Sequence, residues 1–145
     1  MYKVLSFLIL SFSLSSVFAQ KKVIYSDKAP KPIGPYSQAI QNGNTLYVSG
    51  QIAIRADGTM DTSSIENETK LVMENLKAVL AAAELNFNHV LKTTIYMTDL
   101  KKFKTMNEVY GRYFTSDPPA RETVEVKALP KGAHIEISVI AKNNK

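Results

Sequence analysis

Two alternating runs near the C-terminus constrain the fold more than any other feature of this sequence. Arg121–Leu129 and His134–Lys142 carry apolar residues at every second position, the period of a half-buried strand, and Pro130-Lys131-Gly132-Ala133 separates them. Val124, Val126 and Ala128 form the apolar face of the first run; Ile135, Ile137 and Val139 form that of the second. An antiparallel register that sets Leu129 against His134 also sets Ala128 against Ile135, Val126 against Ile137 and Val124 against Val139. One register satisfies all three pairs, so a hairpin is expected. Its opposite face carries Arg121, Thr123, Glu125, Lys127, Glu136 and Ser138, with the apolar Leu129 and Ile140 among them. That mixture suits a subunit interface containing a site better than plain solvent. In the same register Arg121 falls opposite Lys142, roughly 20 Å along the sheet from Glu136. On this geometry the two cannot meet within one chain, and a site that uses both lies between subunits.

The elements upstream follow from the same reading. Val23–Tyr25 is a short strand. Ala29–Pro35 holds three prolines, which lock φ and remove donors, so it is an ordered loop delivering Tyr36 to the next strand. Tyr36–Gln41 and Thr45–Ile52 flank Asn42-Gly43-Asn44, a hairpin signal. In the second of these strands Leu46, Val48 and Ile52 point one way, and Tyr47, Ser49 and Gln51 the other. Gly50 marks a bulge or a close backbone approach by a ligand. Ser63 and Glu66 have the spacing of a capping box, opening a helix to about Ala83 with Ile65, Val72, Leu76, Val79 and Ala83 on its core stripe. His89–Asp99 is rich in β-branched residues and reads as a strand with Leu91, Thr93, Ile95 and Met97 on one face. Lys102–Phe114 reads as a second helix, with Phe103, Met106, Tyr110 and Phe114 at helical spacing and Asp99 near its cap. This order predicts an α+β domain, one sheet with its helices packed on it. His89 and His134 stand at strand starts and are expected to be structural or exposed.

The N-terminus is a separate matter. Lys3 precedes an apolar run, Val4 to Val17, broken only by serines and ending at Phe18-Ala19-Gln20. At about 14 residues the run is too short for a membrane span, which needs roughly 20. It is expected to be a signal peptide, residues 1–19, followed by one domain over 20–145 that is exported to the periplasm or secreted and has no membrane association after cleavage. A mature chain of about 126 residues buries roughly two thirds of its unfolded surface, enough for one core. Composition narrows the chemistry. The sequence has no cysteine, which removes disulfides, thiolate metal sites and thiol nucleophiles. Two histidines make a multi-histidine metal site an unpromising reading, and no metal is expected. The net charge of +5 comes from dispersed lysines rather than a basic stripe, so nucleic acid is not an expected partner.

A set of segments in order resembles the RidA/YjgF family of reactive-intermediate deaminases. The segments are Ile33-Gly34-Pro35-Tyr36-Ser37-Gln38, Ser49-Gly50-Gln51-Ile52, Asn75-Leu76-Lys77-Ala78, Lys92 to Leu100, Asn107, Pro119-Ala120-Arg121, Val124-Glu125-Val126, Leu129-Pro130-Lys131-Gly132 and Ile135-Glu136-Ile137. The resemblance implies a chorismate-mutase-like α/β (α+β) fold, one mixed β-sheet covered on one face by two helices. It implies a homotrimer whose sheets form a central barrel, with sites between neighbouring subunits. It further implies hydrolysis of small 2-imino acids (2-iminopropanoate, 2-iminobutanoate) and their enamines to 2-oxo acids and ammonia, without a cofactor. On the residues present, Arg121 would grip the substrate carboxylate with a bidentate fork. Glu136 would shuttle protons, Tyr36 would pack on the substrate and offer a hydroxyl, and Gly50, Asn107 and Thr123 would line the rest of the site. The chain departs from the family's usual pattern at Glu122, Thr123 and Ser138. Two other readings stand beside this one: an exported, non-catalytic trimer that binds small carboxylates, and an endoribonuclease or translation inhibitor.

Overall fold

The computed structural model describes residues 20–143; the expected signal peptide lies outside them. The strands are β1 (Lys22–Ile24), β2 (Ala39–Asn42), β3 (Thr45–Gln51), β4 (Val90–Met97), β5 (Ala120–Glu125) and β6 (Ile135–Lys142). Two helices, α1 (Ile65–Ala82) and α2 (Phe103–Tyr110), complete the domain. The six strands form one mixed sheet in the order β1-β2-β3-β6-β4-β5, antiparallel throughout except for the parallel pair β4–β5.

The expected hairpin of the last two runs does not form. β5 lies parallel to β4, with Arg121 beside Thr93, and β6 lies between β3 and β4. The reason is the segment between β4 and β5. A strand, a helix and a second strand connected in series return parallel, with the helix packed on the sheet. α2 therefore sets β5 beside β4. From Thr93 onward β4 alternates, with Thr93, Ile95 and Met97 buried; it takes β5 on one side and β6 on the other. The apolar pattern of the first run had suggested a core strand, yet β5 is an edge strand and its Val124 is 46% exposed.

One face of the sheet packs on the helices. Val72, Leu76, Val79 and Leu80 of α1 and Met106 of α2 meet Ile95, Met97, Ile135, Ile137 and Val139 in a single core. Full burial of such side chains stabilises the fold by roughly 1.5–3 kcal/mol each. Ser64, one residue later than expected, is the N-cap of α1: its hydroxyl accepts from the Asn67 amide. Ser63 instead donates to Asp61. The second helix is shorter than its periodicity suggested. Short 3-10 turns precede it at Leu100–Lys102 and follow it at Gly111–Tyr113, and Asp99 caps the first of them.

Two irregularities redirect side chains. The β3–β6 register shifts between Val48 and Gln51, the bulge anticipated at Gly50. The shift moves Gln51 to the core side opposite Ile137, where it is buried rather than exposed. A second shift between Val90 and Lys92 leaves Leu91 exposed, outside the face formed by Thr93, Ile95 and Met97.

Candidate functional site

Because β5 runs parallel to β4, the face assignments of the site residues change. Arg121, Thr123 and Glu125 are paired with Thr93, Ile95 and Met97, so they stand on the helix side of the sheet and not on the open side. Glu136 and Ser138 are paired with Tyr96 and Thr94 and do stand on the open side, with Glu122 beyond Thr94. Arg121 is beside Thr93 rather than opposite Lys142. Within one chain Arg121 and Glu136 thus lie on opposite faces, two strands apart. They remain unable to meet, for a different reason than the hairpin register gave.

Glu136 stands in a cavity of about 250 Å³ with Tyr36, Gly50, Ile52, Ile54 and Pro130 among its walls. Gly50 leaves the room for it. A Cβ at position 50 would lie against the Glu136 carboxylate oxygen and within 2.7 Å of its Cδ. The close approach foreseen at Gly50 is therefore made by a side chain of the same protein. Burial pushes the Glu136 pKa up from the ordinary carboxylate range, and no cation is paired with it among the described residues.

The loop that carries Tyr36 is fastened by Gln38, a buried amide that the sequence reading did not single out. Its Oε1 accepts from the Ser26 amide at 2.6 Å, and its Nε2 donates to the carbonyls of Ser26 at 3.0 Å and Pro30 at 2.8 Å. Such buried, fully paired amides fix a single loop conformation. The Tyr36 hydroxyl in turn accepts from the Ile33 amide at 3.2 Å. Asn75 does the same on the cavity's other wall. From the buried face of α1 it donates to the carbonyls of Ile52 and Ile54. Asn75 shares that buried face with Glu68 and Thr69, so a polar residue within the helical stripe was the available signal for it.

Arg121 is held apart from this cavity. Its Nη1 donates to Asn107 Oδ1 at 2.7 Å, and its guanidinium lies 4.9 Å from the centre of the Tyr110 ring and 5.5 Å from that of Phe103. α2 thus provides a flat aromatic seat and one acceptor. Asn107, expected in the polar lining of the site, orients Arg121. The Tyr110 hydroxyl reaches Thr93 Oγ1 at 3.1 Å, which fixes the seat itself. Thr123 Oγ1 is buried without a hydrogen-bond partner. Glu122, one of the departures from the family pattern, accepts from Lys92 and Thr94, both at 2.7 Å. The described residues thus present two half-sites. One is a half-buried carboxylate in a cavity; the other is an oriented guanidinium at a sheet edge.

A family model described as endoribonuclease L-PSP matches residues 26–143. Protein DfrA of Myxococcus xanthus is 54% identical over 83% of this chain and 95% of its own length. The human protein named 2-iminobutanoate/2-iminopropanoate deaminase is 43% identical over 83% of this chain and 89% of its own. Among solved structures, E. coli TdcF with bound serine superposes with a TM-score of 0.82 at 36% identity. The match covers 85% of this chain and 99% of TdcF.

Proposed function

The chain belongs to the endoribonuclease L-PSP family, whose members include proteins named as imine deaminases, and we propose that it hydrolyses 2-imino acids to 2-oxo acids and ammonia. The observation that carries this reading is Glu136: a half-buried carboxyl with a raised pKa, in a cavity of small-molecule size, facing Tyr36. A carboxyl poised toward neutrality accepts and returns protons within one catalytic cycle. In this reaction Glu136 takes a proton from the attacking water as its oxygen bonds to C2, and passes a proton to the imine nitrogen. The resulting carbinolamine collapses when its hydroxyl proton travels to nitrogen by the same carboxyl. The C–N bond breaks, C=O forms, and ammonia leaves. Water is the only co-substrate, so the reaction calls for no cofactor.

The substrate carboxylate needs a cation, and Arg121 is the oriented candidate. It reaches the cavity only from a neighbouring copy of the chain. The open sheet face supports association: Tyr47 is 50% exposed and Val124 is 46% exposed there, uncovered by any described element. A closed ring of three copies gives three equivalent clefts, each joining Glu136 of one copy to Arg121 of the next. Export through the N-terminal segment belongs to the same reading. It places the activity outside the cytoplasm.

The test is direct. An amino-acid oxidase generates 2-iminopropanoate from alanine, and release of the 2-oxo acid is followed with and without the mature protein. Faster release that is lost in Arg121→Ala supports the reading. An Arg121→Ala variant as active as the parent overturns it.

A further inference from the structure

The cavity around Glu136 shares part of its wall with a second hollow. Pro30, Lys31, Ile33 and Ile54 line both it and this hollow of about 430 Å³, which Asp57 and Lys131 also line. Two Pro-Lys dipeptides from distant parts of the chain contribute to these walls. Pro30 and Pro130 line the inner cavity, Lys31 lines both compartments, and Lys131 lines the outer one. Each proline fixes the backbone just before its lysine. Lys131 is further held at a φ of +55°, next to a left-handed Gly132. That conformation costs a residue with a Cβ on the order of 1 kcal/mol.

Neither lysine ammonium has a hydrogen-bond or ion-pair partner among the described residues, whereas Arg55, Lys77 and Lys92 are each paired with a carboxylate. The one carboxylate on that side, Asp57, is engaged by the amide and hydroxyl of Thr59, and these bonds lower its pKa. The outer hollow thus has an apolar floor of Ile33 and Ile54 and a surplus of positive charge at its rim. Such a surface fits a short methylene chain that ends in an anion.

We propose that the outer hollow is a second anion subsite, and that the preferred substrate is a 2-imino acid whose side chain ends in a second carboxylate. The proposal rests on the reading of the inner cavity as an imino-acid site. Arg121 of a neighbouring copy would hold the first carboxylate. Lys31 and Lys131 would hold the second, with the intervening methylenes on Ile33 and Ile54.

The probes are two stable 2-oxo acids, 2-oxoglutarate and 2-oxobutanoate, titrated calorimetrically into the mature protein. 2-Oxoglutarate should bind at least about tenfold tighter, and the preference should shrink at high salt. In the double variant Lys31→Ala/Lys131→Ala the ratio of affinities should fall toward one. In Lys131→Glu it should invert. Equal binding of the two acids by the parent, binding of neither, or a ratio that survives the double substitution would overturn the proposal. Turnover of 2-iminopropanoate and of 2-iminoglutarate, each generated from its amino acid by an oxidase and measured alongside, separates the two levels. Turnover without the 2-oxoglutarate preference defeats the subsite alone. The preference without turnover leaves the anion subsite standing and defeats the deaminase reading.

Discussion

Replacing Gly50 with alanine isolates where the Glu136 carboxyl sits from what it is. The new Cβ would collide with the carboxylate oxygen and lie 2.7 Å from Cδ and 2.9 Å from Cγ, so something must shift. The colliding atoms are the far end of a flexible side chain, not backbone, and Glu136 can swing to another rotamer. The stability cost is accordingly small, about 1 kcal/mol. The catalytic cost is large. A proton shuttle moved out of reach of its substrate loses most of a contribution worth roughly 10²–10⁴-fold. Thermal unfolding and the imine assay should therefore diverge: a melting temperature shifted by a few degrees, and kcat/KM lower by about 10²-fold. A double-mutant cycle makes the reasoning strict. If displacement of Glu136 is the cause, Gly50→Ala added to Glu136→Ala costs little further activity. A fully active Gly50→Ala, or an undiminished second loss on the Glu136→Ala background, refutes it.

The remaining predictions concern charge, burial and pairing. Glu136 has a folded pKa above its unfolded value, so its share of stability is present in acid and is lost as pH rises through the folded value. Glu136→Gln should raise the melting temperature at pH 7 and leave it unchanged at about pH 4, and the acid limb of kcat/KM in the parent should lie above the ordinary carboxylate range. Thr123→Val removes a buried hydroxyl that lacks a partner. It should stabilise the fold by about 1 kcal/mol in denaturant titration, and raise KM if the hydroxyl meets substrate. Glu68, fully buried on α1, accepts from the His134 amide at 3.0 Å and from its Nδ1 at 2.6 Å. Glu68→Ala should cost about 3 kcal/mol by the same titration, and Glu68→Gln less than half of that.

What the sequence disclosed depended on the range of the interaction. The Asn42–Thr45 turn, the bulge at Gly50, the core stripe of α1 and the cap at Asp99 are local, and each is recognisable from spacing alone. The partner of β5 is not local. Two alternating runs joined by a short turn satisfy a hairpin register as well as they satisfy separate neighbours. Only the packing of α2 decides that β4 stands between them. The face of Arg121 followed that error, because a strand's inward side is defined by its neighbour. Leu91 was misplaced by a register shift that no residue type announces, and Gln51 by the bulge at Gly50, which the glycine marks without telling which way the next side chain turns. Of the site residues, Glu136, Gly50 and Tyr36 share one cavity, while Arg121, Asn107 and Thr123 are grouped by α2 and the β5 edge. Gln38 and Lys31 escaped attention because neither loop tether nor groove rim has a sequence period.

The central claim is that one active site is assembled from Glu136 of one subunit and Arg121 of another, and subunit mixing tests it most directly. As pure assemblies, Glu136→Ala and Arg121→Ala chains each lose about 10²-fold or more of the parental turnover on this account. When they are co-assembled in equal amounts, one ordered pairing in four joins an intact Glu136 to an intact Arg121, so about a quarter of the parental 2-iminopropanoate turnover should return. Mixed assemblies that stay as inactive as their parents would contradict the shared site.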